Sequence, residues 1–165
     1  MHLLVVFFDD EADRAIRALR RRVGAEHDLP PHLTWAAAST IGPRVRDELR
    51  EDLSRLWLPD LWLHSLAATD RTLQLGAVVD GELLAVHSAV HDVLAGRVKH
   101  PAAQYLPGSW TPHCPLLTGE DDEVRAAFAR LHPVTPIRAE ARRVCVVDTQ
   151  TGAIDPLRNA STAPR

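Results

Sequence analysis

Two short segments most constrain what this chain can fold into. Pro31-His32-Leu33-Thr34-Trp35 and Pro112-His113-Cys114-Pro115-Leu116 each set a histidine after a proline, at the head of an apolar run of strand length. Side chains alternate faces along a strand, so His32 shares a face with Thr34, and His113 shares one with Pro115. Two strands of the same local design call for a sheet in which both find partners.

The rest of the chain supplies them. Leu3 to Phe8 reads as a buried strand, and Asp9 or Asp10 caps the helix that follows. Ala12, Ile16, Leu19 and Val23 recur at helical spacing up to a stop at Gly24, and Arg20, Arg21 and Arg22 suit the negative end of the helix dipole. Leu33 to Ala38 is the next strand. Gly42-Pro43 starts a second helix, with Val45, Leu49, Leu53 and Leu56 as its stripe. Trp62 to Ala67 and Thr72 to Val78 read as strands joined by a turn at Thr69-Asp70-Arg71, and Asp80 caps a third helix. Arg97 to Thr111, with Pro101, Pro107 and Gly108, reads as a loop. Thr111 to Leu117 is a strand. Thr118 caps a fourth helix, with Asp121 completing a capping box, and Ile137 to Ala141 and Val144 to Val147 are two closing strands. Past Gly152 the chain turns small and polar, so a frayed tail is expected. This order predicts an α+β fold with antiparallel or mixed sheets. The two histidine segments fall at corresponding places in a weak internal duplication. Residues 1–150 form the expected domain and 151–165 the polar tail.

Composition bounds the function. The chain has 165 residues, 45% of them hydrophobic, enough for one domain with a real core. A net charge of -3 argues against binding long duplex DNA, which needs a strongly basic face. Lys99 is the one lysine, so a side-chain cation meeting a phosphate here is a guanidinium, which can grip it with two hydrogen bonds. Cys114 and Cys145 are too few for a disulfide framework, match no zinc spacing and read as buried thiols. No run reaches the length of a membrane span, and the N-terminus lacks the marks of a signal peptide. A cytoplasmic monomer is expected, with no membrane partner.

Paired histidines suit phosphodiester chemistry. With an ordinary pKa of about 6.5, imidazole is available as base and as acid near neutrality. Opening a cyclic phosphate requires a nucleophile activated on one side of phosphorus and a leaving oxygen protonated on the other. His32-Leu33-Thr34 and His113-Cys114-Pro115 resemble the paired His-x-Ser/Thr motifs of the two-histidine (2H) phosphoesterase superfamily. Within it they are most similar to the bacterial 2'-5' RNA ligase/cyclic phosphodiesterase branch, called LigT-like. The resemblance runs from about Leu3 to Val147 and includes Pro31 and Trp110-Thr111-Pro112 ahead of the motifs. It implies a bilobal fold with pseudo-twofold duplication, two sheets flanking a central cleft and helices outside. It also implies a metal-independent phosphodiesterase, with no cofactor, acting on a nucleotide or RNA-end 2',3'-cyclic phosphate. His32, Thr34 and His113 would be its catalytic residues, with base and acid not assigned individually.

The pattern breaks at Pro115, which has neither a hydroxyl nor an N–H to donate. A proline inside a strand also marks an edge or a bulge. Thr111, two residues before His113, is one candidate to supply the hydroxyl. The alternative is a weakened enzyme or a module that binds nucleotides or RNA ends without turnover. Tyr105 and Trp110 are candidates to stack on a base, whereas Trp35, facing away from His32, reads as core. Arg71, Arg142 and Arg143 lie at turns or strand ends where they could reach a phosphate. His87 and His91, four apart, share a helical face as zinc ligands can, but no third ligand is indicated, so no metal site is expected and a solvent-facing or groove-lining pair is the reading.

Overall fold

Leu4 to Phe8 are all buried and form most of β1 (His2–Phe8). The structure, a computed structural model, describes residues 1–69 and 71–159. Asp9 caps α1 (Asp10–Arg22), its carboxylate accepting from the N–H groups of Glu11 and Ala12 at 2.9 and 3.1 Å. The free N–H groups and positive dipole of a helix start favour such a carboxylate. β2 (His32–Ala38) leads to α2 (Pro43–Arg55), which has Pro43 in its first turn. β3 (Asp60–Ala68) and β4 (Thr72–Ala77) pair with each other, and Asp80 caps α3 (Gly81–Leu94) through the Leu83 N–H at 2.8 Å. Asp70, in the expected turn between β3 and β4, lies outside the described residues. A 3-10 turn (Ala103–Tyr105) precedes β5 (His113–Thr118), then come α4 (Asp121–Leu131), β6 (Ile137–Asp148) and β7 (Ile154–Asn159).

Four expectations need correction. Glu120, not Thr118, stands at the N-cap of α4, and Glu123 closes the box by accepting from the Glu120 N–H at 3.1 Å. Thr118 stays in β5, paired with Thr72. Thr111 lies before β5 rather than in it. The two closing strands are one, β6: Arg142 and Arg143 do not interrupt it, because Arg142 pairs with Glu140 at 2.6 Å and Arg143 lies over the Phe7 ring. The chain after Gly152 does not fray at once. Residues 154–159 form β7 along β6, and Asp155 accepts from Arg46 at 3.0 Å and from Arg50 at 2.8 Å. Backbone pairing and ion pairs hold β7, which is why its weak apolar pattern misled. Residues 160–165 of the expected tail lie outside the described residues.

The seven strands pair antiparallel in the order β2-β1-β6-β3-β4-β5, with β7 added on β6. β6 is the shared element. Its start, residues 137–140, pairs with β3; residues 141–148 pair with β1, and 143–147 also with β7. β2 and β5 stand at opposite ends of this order, yet they touch. Leu33 and Trp35 from β2 share one core with Cys114 and Leu116 from β5, with Ile16 of α1 and with Val90 of α3. Burying these side chains is worth about 25 cal/mol per Å² of apolar surface, and the natural twist of a sheet lets its two ends approach to do so. The outcome brings the starts of β2 and β5 toward each other. Among the described residues no helix is long and apolar enough to cross a membrane.

Candidate active site

His32 opens β2 and His113 opens β5. The same device orients both rings. His32 donates from Nδ1 to the Pro30 carbonyl at 2.8 Å, and His113 donates from Nδ1 to the Thr111 carbonyl at 2.7 Å. A carbonyl only accepts, so Nδ1 carries the hydrogen and the neutral ring keeps its lone pair on Nε2. The backbone repeats too. Leu4 pairs with Ala36 and Val5 with Thr34, so Trp35 is an extra residue in β2; Gln74 pairs with Pro115 and Leu73 with Leu117, so Leu116 is extra in β5. Each bulge falls three residues after its histidine, and bulges of this kind re-aim side chains near sites.

The two rings differ in surroundings. His32 is 5% exposed, with its edge against the Phe7 ring at 6.2 Å between centroids. Burial pulls its pKa down to about 4; the Pro30 carbonyl opposes this, while positive charge on Arg20, His27 and His113 adds to it. His113 is only half-buried.

The loop before β5 is tied to β2 around Thr34. Thr34 is buried, and its hydroxyl lies beside the Tyr105 phenol. Burial raises the Tyr105 pKa, and the neighbouring Thr34 hydroxyl opposes the rise. Trp110 donates from Nε1 to the Thr34 carbonyl at 3.0 Å, and its ring is stacked on His87 at 3.9 Å. One face of Trp110 is therefore already covered. Trp35 is fully buried, as expected. Thr111 is exposed, and the contact it makes here is through its carbonyl, to His113. The expectation of a solvent-facing or groove-lining pair at His87 fails for His87, which is 2% exposed. His87 shares its Nε2 hydrogen between the carbonyls of Trp35 and Tyr105, at 3.1 and 3.0 Å, and His91 donates from Nε2 to Trp35 at 3.1 Å. Those nitrogens are donors to backbone. Among the described residues no cluster of three or more His, Cys, Asp or Glu side chains is placed to hold a metal ion.

A family model described as the 2'-5' RNA ligase superfamily matches residues 5–153. The chain belongs to the 2'-5' RNA ligase superfamily. No curated protein matches it. The matched span of this superfamily member runs from β1 to the turn before β7 and includes both histidine segments.

One buried residue of this 2'-5' RNA ligase superfamily chain that bears on both histidine segments escaped the sequence reading. Arg20 is 4% exposed and donates to the carbonyls of Leu29 at 3.0 Å and Pro115 at 2.8 Å. Its guanidinium thus joins the approach to β2 with the middle of β5, beside the buried Cys114 thiol, which burial pushes up to about 11. Arg20 does stand in the last turn of α1, as the dipole reading expects, but its guanidinium also serves these two carbonyls. The signal was available: Ala12, Ile16 and Arg20 are spaced by four, which puts the arginine on the buried stripe. Among the three arginines considered for phosphate contact, Arg71 pairs with Glu120 at 2.9 Å and Arg142 with Glu140. Arg143 has no carboxylate within ion-pair distance among the described residues. It is paired with Phe7, which is paired with His32, so the three side chains form one row on one face. On the other side His113 lies opposite Gly76, and Gly76 opposite Ser65, which leaves the flank of His113 without a bulky neighbour.

Proposed function

We propose that this chain is a metal-independent phosphodiesterase of the LigT-like kind, opening 2',3'-cyclic phosphates of nucleotides or RNA ends with His32 and His113. The observation that carries the reading is the matched pair of Nδ1–carbonyl hydrogen bonds, which keeps Nε2 of both rings for substrate. The repeated bulges support a bilobal cleft with two duplicated halves.

His32, drawn down to about 4, is neutral at pH 7 and suits the base. Its Nε2 takes a proton from water as the water oxygen bonds to phosphorus. His113 takes the acid's role as the imidazolium, with one hydrogen on Nδ1 to the Thr111 carbonyl and a second proton on Nε2, which passes to the ribose oxygen as the bond from that oxygen to phosphorus breaks. Each transfer is typically worth about 100- to 10,000-fold. Thr34, poised by Tyr105, offers its hydroxyl to a phosphoryl oxygen, and Arg143 adds positive charge on the same face. Trp110 and the Thr111 carbonyl hold Thr34 and His113 in place.

The test is incubation with nucleoside 2',3'-cyclic phosphates in EDTA. Monophosphate should form, and both His32→Ala and His113→Ala should abolish it. Full turnover in either variant would sink the mechanism. A second reading, a module that binds without turnover, is favoured by Pro115 alone. Binding with no product would establish it.

A further inference from the structure

The internal match between the two histidine strands makes one gap visible. Beside His32, two residues on and on the same face, stands the Thr34 hydroxyl. At the matching place beside His113 stands Pro115, which donates nothing. The structure puts another donor next to that place. Gln74 of β4 is directly opposite Pro115 in the antiparallel ladder, so both side chains lie on the same face, with Cβ atoms about 5 Å apart. That face is the one His113 shares: along β5 residues 113 and 115 are half-buried, whereas Cys114 and Leu116 point into the core. Along β4 the same alternation sends Leu73 and Leu75 inward and leaves Gln74 half-buried on the His113 side.

Two further observations bear on what Gln74 does there. Its side-chain amide has no hydrogen-bond partner among the described residues. Two residues further along the same face comes Gly76, opposite His113, so β4 sets no side chain directly beside the imidazole. A Cβ at Gly76 would come within 2.5 Å of the Ser65 hydroxyl, which would have to turn aside.

We infer that the Gln74 amide N–H groups donate to a non-bridging phosphate oxygen beside His113, supplying the contact that Pro115 cannot make. This rests on the phosphodiesterase reading and deepens it. The anion is held by a hydroxyl on the His32 side and a carboxamide on the His113 side. Gln74 would touch substrate and so count as a catalytic residue.

The experiment measures binding of a nucleoside 2'-monophosphate, and turnover of the 2',3'-cyclic phosphate, for wild type, Gln74→Leu, Pro115→Thr and Gln74→Leu/Pro115→Thr. Circular dichroism confirms folding, and Gln74→Glu serves as a second variant that keeps shape but removes the donor. Wild type is expected to bind. Gln74→Leu should weaken binding about tenfold and lower kcat by about a hundredfold, the scale of losing one donor to a developing oxyanion. Pro115→Thr should change wild type little but restore most of the loss in the double variant. A merely structural role for Gln74 would not show that rescue. If wild type binds and turns over, and Gln74→Leu and Gln74→Glu do the same, this inference is overturned while the phosphodiesterase reading stands. If wild type neither binds nor turns over, both fall.

Discussion

Arg20 and Pro115 are joined by a hydrogen bond of 2.8 Å, from a buried helix guanidinium to the carbonyl of the strand that begins with His113. The same guanidinium holds the Leu29 carbonyl at 3.0 Å, just ahead of His32. One side chain thereby braces both histidine segments. Arg20→Met leaves both carbonyls without a donor, at about 1–3 kcal/mol each. Removing a buried charge returns part of that, so a net loss of about 3 kcal/mol is expected in urea unfolding at pH 7. NMR titration adds a second readout: the His32 pKa should rise once the positive charge beside it is gone, and Arg20→Lys should leave it nearer the wild-type value. An unmoved His32 titration in Arg20→Met would refute the electrostatic part.

Acid should destabilise the fold well above the carboxylate range. His32 and His87 are both pulled down to about 4, chiefly by burial, with the charge of His91 adding to the effect at His87. Unfolded, each titrates near 6.5. Between those values the unfolded chain binds more protons, so stability rises with pH there and is fully present above 6.5. Falling from pH 7 to 4 should cost roughly 3 kcal/mol for each histidine. Urea midpoints across that range check it, and His87→Gln should show a shallower slope than wild type.

Both thiols should be inert in the folded state. Cys114 and Cys145 are buried, and burial raises the pKa of each, that of Cys114 to about 11. The thiolate is the reactive form, so a disulfide reagent at pH 8 should label neither until denaturant is added. Fast labelling of Cys114 without denaturant would contradict its placement against Arg20.

Arg143 should matter for anions and little for stability. It is exposed and has Phe7, at 5.2 Å, as its ring partner. Arg143→Gln is expected to weaken nucleotide monophosphate binding about fivefold at low salt, with the difference shrinking as salt screens the charge. An unchanged dissociation constant at low salt would remove Arg143 from the site.

The sequence was informative where the cause is local. The alternation that pairs His32 with Thr34 and His113 with Pro115 needs only the strand period, and the caps at Asp9 and Asp80 need only the next few N–H groups. Proline at position 115 announced an irregular edge, and β5 is both the end of the strand order and bulged at Leu116. Burial of Trp35 and of both thiols followed from the same patterns. Other features depend on partners far along the chain. The helical stripe puts Arg20 on the buried face of α1, but its partners are carbonyls 9 and 95 residues away, and no helical pattern names those. β6 stays whole through two arginines because β1, β3 and β7 supply its ladders, and β7 exists because β6 does. Residue types and their spacing thus determined which side chains could do chemistry here. That β2 and β5 meet was decided by tertiary structure, because a shared core draws together strands that no ladder connects.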